Sequence, residues 1–418
     1  MLRTIGPASD TRARLPRPVW LLGWVSLVTD TATEMVYPLL PLFLTRVLGA
    51  GAMSLGVIEG VAEAANSVLK IVAGRLSDRT GAPKPIVIAG YTISGSVRPL
   101  IGLVTSWTHV LAIRFADRLG KGIRSAPRDA MLAHFAPREI RGRVFGFHRA
   151  MDNTGAVVGP LLASAFLFFF PEQYRTLFAL TIIPGIIVVI ILLRVPDARV
   201  DATNPPSPNP EPREHPEPAE PPEPPQSSGS TPRAPLGRAL LVIFVFSLGN
   251  ASDAFLLLRL SDVGIAVFWI PLLWSSLHVV KAVSSFVGGD LSDRYGRRAL
   301  IGLGWLIYAA VYLGFGFVDS AAGLIAIFLI YGLYFGLTEG VEKAWIADLA
   351  PAHARGGAFG YYNATLGAGA LAASLLFGLI WTRVSAHAAF MTGGAIALAA
   401  TALLYLLFSH EADSRHQR

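Results

Sequence analysis

Cysteine is missing from all 418 residues, which removes thiol chemistry, disulfides and Cys-ligated metal sites from consideration. Charge is scarce as well. Only 15% of the residues are charged against 53% hydrophobic, a balance too apolar for an ordinary soluble domain. No Gly-rich loop of the form GxxxxGK[ST] occurs, which argues against ATP-driven work, and no nucleophile elbow or other catalytic constellation points to an enzyme. No cofactor or metal is expected. The apolar segments run on instead of alternating over about ten residues, which excludes a transmembrane barrel. Four arginines precede Trp20, but the apolar run after them has no small-residue cleavage site and reads as a retained helix rather than a signal peptide.

What the chain does have is apolar runs of the roughly 20 residues that a bilayer crossing requires. The spacing predicts twelve helices, at about 19–46, 52–75, 84–106, 109–135, 143–170, 175–195, 238–260, 263–290, 298–318, 321–349, 357–382 and 385–409. Arg75, Arg79 and Lys84 follow the second, Arg138, Arg141 and Arg143 the fourth, and Arg294, Arg297 and Arg298 the eighth. Basic loops on one side place both termini in the cytoplasm of a multi-pass protein of a bacterial inner membrane. The net charge of +7 is accounted for by these loops, and no nucleic-acid partner is expected.

Residues 196–237 are a different material, with Pro at about every third position among Glu and Ser. Such a stretch is too poor in apolar residues to fold alone and reads as a cytoplasmic linker. The expected organisation is a tail at 1–18, a six-helix bundle at 19–195, the linker, a second bundle at 238–409 and a tail at 410–418. The two halves echo each other. Ala136-Pro137, Arg141-Gly142 and Phe145-Gly146 return as Ala350-Pro351, Arg355-Gly356 and Phe359-Gly360 at an offset of 214, and Leu76-Ser77-Asp78-Arg79 returns as Leu291-Ser292-Asp293-Arg294 at 215. Parallel repeats of this kind place a substrate site at their interface near the bilayer midplane.

The motif Gly-x-Leu-x-Asp-Arg-x-Gly-Arg-Arg is complete at Gly289, Leu291, Asp293, Arg294, Gly296, Arg297 and Arg298, with a first copy at Gly74, Leu76, Asp78, Arg79 and Gly81. It resembles the loop signature of the major facilitator superfamily, and the likeness covers both halves. The resemblance implies an all-α fold of two parallel six-helix bundles related by a pseudo-two-fold axis. It also implies a gate role for Gly74, Asp78, Arg79, Gly289, Asp293 and Arg294. Gly155, Gly159 and Pro160 look like the GxxxGP core of the superfamily's antiporter motif, although Ala163 stands where the family continues with Gly. Small residues four apart let helices approach closely, so this stretch is equally a packing element.

Charges inside the predicted helices are the remaining signal, because an ionisable group in a membrane span is a functional candidate by default. Asp30 and Glu34 share one face of the first helix, and Glu59 and Glu63 one face of the second, where Asn66 and Lys70 continue it. The expected substrate and coupling set is Asp30, Glu34, Glu59, Glu63, Arg118, Arg149 and Asp152 from the first half. The second half adds Asn250, Asp253, His278, Lys281, Tyr331, Tyr334, Tyr361 and Asn363. Arg128, Asp129, Glu342 and Lys343 sit near helix ends, map onto each other in the repeat with reversed sign order, and are expected to form gate contacts. The expectation is a monomeric secondary transporter in the lipid bilayer, coupled to protons through one of the carboxylates. Its small-molecule substrate is charged, with an organic anion or an anionic metal chelate favoured by the basic residues of the fourth and fifth helices. Proton-driven multidrug efflux is the alternative within the class, and a non-transporting receptor or scaffold the alternative outside it.

Overall fold

The computed structural model describes residues 15–80, 82–136, 141–197, 233–350 and 355–408. Among them there is no strand, and the helices form twelve rods. α1 starts at Arg17–Val36 and continues through single 3-10, α and π turns to Val47, bent where Pro38 and Pro41 withdraw backbone donors. α2 is Ala52–Thr80, α3 Pro83–Leu103, α4 Trp107–Phe135, α5 Arg141–Phe169 and α6 Tyr174–Leu193. α7 is Arg233–Gly249 and, after a break, Ala254–Asp262. α8 is Trp269–Tyr295, α9 Arg297–Phe317, α10 Ala321–Leu349, α11 Arg355–Arg383 and α12 Ala386–Phe408.

Three of these differ from the sequence expectation in instructive ways. α7 begins at Arg233 rather than 238, with Pro235 inside its first turn, where a missing N–H costs nothing. α8 begins at Trp269 rather than 263, because the apolar stretch before it turns at Gly264, whose φ is +87°. The Leu-Ser-Asp-Arg motifs lie in the last turns of α2 and α8 rather than in loops. α8 stops where Gly296, still donating to the Ser292 carbonyl at 3.1 Å, takes a φ of +88° that only glycine adopts without strain.

The packing repeats. In the first half α1 lies on α5 and α6, and α4 lies on α2 and α3; in the second α7 lies on α11 and α12, and α10 lies on α8 and α9. The halves meet along two equivalent seams, α2 with α11 and α8 with α5. Eight rods are long and apolar enough to cross a membrane, and the four that fall short are α1, α2, α4 and α8. Those four include α2 and α4, which carry the buried Glu59, Arg114, Asp117, Arg118 and Arg124.

Gly155 and Gly159 set the distance between α1 and α5. A Cβ would stand 2.5 Å from the Leu27 carbonyl oxygen at Gly155 and 2.4 Å from that of Thr31 at Gly159, inside any tolerable contact. Gly155→Val and Gly159→Val are therefore expected to lower the melting temperature of the purified protein, in line with an overpacking cost of about 1–3 kcal/mol. Gly360→Ala, where nothing lies within 4 Å, serves as the neutral control. Equal melting of all three variants would show that the α1–α5 contact has slack.

Candidate functional site

Between the bundles lies a cavity of about 840 Å³. Its walls come from Ser26, Thr29, Asp30 and Glu34 of α1, Tyr91 of α3, Lys121, Arg124, Arg128 and Asp129 of α4, and Arg149 and Asp152 of α5. The second half contributes His278 and Lys281 of α8 with Phe335, Glu339 and Lys343 of α10. The α4, α5 and α10 residues sit toward the end of the molecule where the described chain starts and finishes, and the cavity opens to that end, where the side chains of Asp129, Arg149 and Lys343 are half exposed or more.

The opposite end is shut by bonds from one half to the other. Arg46 Nη2 donates to the Ser261 hydroxyl at 2.6 Å and to its carbonyl at 3.3 Å, and the Tyr37 and Ser252 hydroxyls lie 3.3 Å apart. Ser164 donates to the Phe268 carbonyl at 2.6 Å, and Ser275 to the Val157 carbonyl at 3.0 Å. At the cavity ceiling Trp274 Nε1 donates to Glu34 at 2.7 Å, with His278 Nε2 4.0 Å from the same carboxylate. Toward the open end one pair spans the halves: Arg149 of α5 meets Glu339 of α10 at 3.2 Å, and Lys343 holds the same oxygen at 3.5 Å.

The expected site residues divide by which way their helix faces. Asp30, Glu34, Arg149, Asp152, His278 and Lys281 line the cavity, as do Arg128, Asp129 and Lys343 of the expected gate. Asp152 accepts from Ser26 and lies 3.6 Å from His148. Glu59 and Arg118 are buried but outside the cavity walls. Glu59 pairs with Arg114 at 2.8 Å, Arg114 reaches Asp117 at 3.7 Å, and Asp117 pairs with Arg98 at 3.0 Å. Glu63 accepts from Asn66 at 3.1 Å.

In the second half Asp253, in the break of α7, accepts from Tyr331 at 2.6 Å and pairs with Lys281 at 3.5 Å. Asn250 donates to Tyr334 at 3.2 Å, and Tyr331 and Tyr334 are buried in an aromatic stack. Asn363 bonds back to the Phe359 carbonyl at 2.8 Å, and Tyr361 is exposed outside the cavity.

The expected contact of Arg128-Asp129 with Glu342-Lys343 is not made. Arg128 and Asp129 pair with each other at 2.9 Å, and Glu342 is sealed inside the second bundle by Trp305 Nε1 at 3.1 Å and Tyr362 at 3.0 Å. The reason is rotational: position 342 faces α9 and α11 rather than α4. Arg294 is exposed. Gly74, Asp78, Arg79, Gly289 and Asp293 lie outside the residues whose side chains are described.

Ser26, Tyr91, Lys121 and Arg124 line the cavity although they stand outside the expected set. The signal was present, because 121, 124 and 128 follow the i, i+3, i+7 spacing of one helix face.

Twelve rods in two parallel bundles around a shared polar cavity define a polytopic transporter architecture. The chain belongs to the Major Facilitator Superfamily, whose family model matches residues 22–279 and 239–418. It is 30% identical over 405 residues to the uncharacterized MFS-type transporter MJ1317 of Methanocaldococcus jannaschii, covering 96% of this chain and 97% of that one. It is 23% identical over 380 residues to the cis,cis-muconate transport protein of Acinetobacter baylyi, covering 88% and 90%. Among solved structures, a bacterial homolog of the human lysosomal transporter Spinster in an inward-facing, unoccupied conformation superposes with a TM-score of 0.69 at 16% identity, over 93% of this chain and 94% of that one.

Two ion pairs of this site should respond very differently to truncation. Glu59→Ala leaves the buried Arg114 guanidinium with only the longer contact to Asp117 and is expected to cost up to about 3–5 kcal/mol. Arg149→Ala removes a pair whose side chains are 63% and 47% exposed, and should cost under about 1 kcal/mol. Equilibrium unfolding of the two variants in the same detergent compares them directly, and a reversed order would overturn this reading of their burial.

Proposed function

We propose that the protein is a secondary active transporter that moves a small organic anion across a bacterial inner membrane by alternating access, coupled to protons. The observation that carries this reading is the cavity itself, which lies between the two halves and takes cationic side chains from both: Lys121, Arg124, Arg128 and Arg149 from the first, Lys281 and Lys343 from the second. A solute held there touches both bundles, so its binding can bias their relative position. The many charged groups of the lining suit a polar solute better than a hydrophobic drug, which would have to leave them unpaired. The cis,cis-muconate transport protein among the relatives carries an organic anion in its name, which agrees with this class.

Positive-inside loops support cytoplasmic termini, in which case the cavity as described faces the cytoplasm and the Arg46–Ser261 end faces outward. Asp30 is the carboxylate best placed to carry the proton. It lines the cavity on α1, makes no hydrogen bond or ion pair among the described residues, and lies in the fields of Lys121 and Arg124 across the cavity and of Asp152 beside it. A proton taken up there removes a negative charge from the wall at the moment an anion needs to enter.

The test is transport in proteoliposomes with radiolabelled organic acids under an imposed pH gradient. The wild-type protein is expected to accumulate at least one organic anion against its gradient. Asp30→Asn is expected to exchange that anion at equilibrium yet fail to concentrate it. Accumulation of organic cations and no anion would overturn the substrate class, and undiminished accumulation by Asp30→Asn would remove Asp30 from the coupling role.

A further inference from the structure

Arg124 differs from the other two arginines that line the cavity, Arg128 and Arg149, in how its charge is compensated. It is 4% exposed and lines the cavity. A guanidinium stays ionised at any working pH, and an ionised group inside a bundle costs free energy unless something compensates it. In the cavity wall Arg128 is compensated by Asp129 and Arg149 by Glu339, and in the bundle behind it Arg98 is compensated by Asp117 and Arg114 by Glu59. Arg124 has no carboxylate at ion-pair distance among the described residues. Its Nη1 donates to Ser94 Oγ at 2.6 Å, and its guanidinium lies 4.3 Å from the Tyr91 ring centroid. The Ser94 hydroxyl in turn donates to the Asp117 carbonyl at 3.1 Å, so its oxygen is turned to accept. Asp117, the carboxylate that could have quenched Arg124, is already held by Arg98 and Arg114.

We propose that Arg124 is the anchor for a carboxylate of the transported solute, with Tyr91 and Ser94 as the residues that hold its guanidinium in place. The proposal rests on the anion-transport reading above and names its contact. Stacking on Tyr91 and the bond to Ser94 fix the plane of the fork before any ligand arrives, so little side-chain entropy is lost on binding. The donors not committed to Ser94 are left for the cavity, and a planar fork of N–H groups matches a carboxylate better than a point charge does. The balance of the walls agrees: six Lys and Arg face five Asp and Glu, which leaves one positive charge over, and two when Asp30 holds its proton. The solute supplies the missing counter-ion.

The experiment is isothermal titration of the full chain in lipid nanodiscs with cis,cis-muconate, succinate and benzoate, for wild type, Arg124→Ala and Arg124→Lys. Removing a charge-assisted contact is expected to weaken the best-bound carboxylate by about 10- to 100-fold in Arg124→Ala. Arg124→Lys, which keeps the charge and loses the fork, should fall between. On the wild-type protein itself, phenylglyoxal modification of Arg124, followed by peptide mass spectrometry, is expected to slow in the presence of that carboxylate. This second measurement stands even where a variant does not fold. Unchanged affinity in Arg124→Ala, or no protection of Arg124 by a carboxylate that binds, overturns the anchor and leaves anion transport standing. Binding of organic cations and of none of the three carboxylates overturns both.

Discussion

Arg114, sealed between α2 and α4, holds Glu59 at 2.8 Å and shares Asp117 with Arg98. This row of four buried charges ties α2, α3 and α4 into one body. A charge in a membrane-spanning bundle must be paired or must face water. Here the pairing is done inside the first bundle, which leaves the charges of α1 and the lower part of α4 to face the cavity. The second bundle solves the same problem with aromatic rings. Phe246 stacks on Trp305 at 4.4 Å, Tyr308 on Tyr312 at 4.2 Å and Tyr331 on Tyr334 at 5.7 Å. Tyrosine hydroxyls cap the carbonyls of Gly249 and Ala251 that the break in α7 exposes. One architecture is thus built twice with different cores, ionic in one half and aromatic in the other.

The closed end shows how the two halves are related. Tyr37 meets Ser252 and Arg46 meets Ser261, each pair 215 residues apart. That separation is the offset at which the Leu-Ser-Asp-Arg motif repeats. Each of these residues therefore touches its own counterpart in the other half, which places the pseudo-two-fold axis between α1 and α7. The cavity sits on the same axis further down, so a solute inside it sees equivalent helices on both sides and non-equivalent side chains.

The fold was legible because its signals are periodic and repeated. Apolar runs set the rods, the recurring motif paired the halves, and the errors were local, as at 263–268, where apolar residues form a turn around Gly264. The site was legible only in part. Intramembrane charge flagged Asp30, Glu34, Asp152 and Lys281, which line the cavity, but it flagged Glu59 and Arg118 equally, which face neighbouring helices. Hydropathy says that a charge is inside and not toward what, because that depends on the rotation of each helix about its own axis. Arg124 was passed over for a related reason. It stands in a run of basic residues near a helix end, and only the structure shows that the other two arginines of the cavity wall are paired with carboxylates and it is not.

The seam between α2 and α11 is unusually bare. Ideal Cβ positions at Gly56 and Gly60 would lie 2.2 Å from the Ser374 carbonyl oxygen and 3.0 Å from Leu371, and one at Gly378 would lie 3.0 Å from the Ala52 carbonyl oxygen. At Gly56 and Gly378 main chain rests on main chain, and at Gly60 the Leu371 side chain lies against the bare backbone. Interlocked side chains behave as gear teeth, and sliding past them means lifting each from its rotamer well. Smooth backbone surfaces have no teeth. Where the glycines stand, the seam is closer to a plain bearing than to a gear, because few rotamers have to change for one helix to shift against the other.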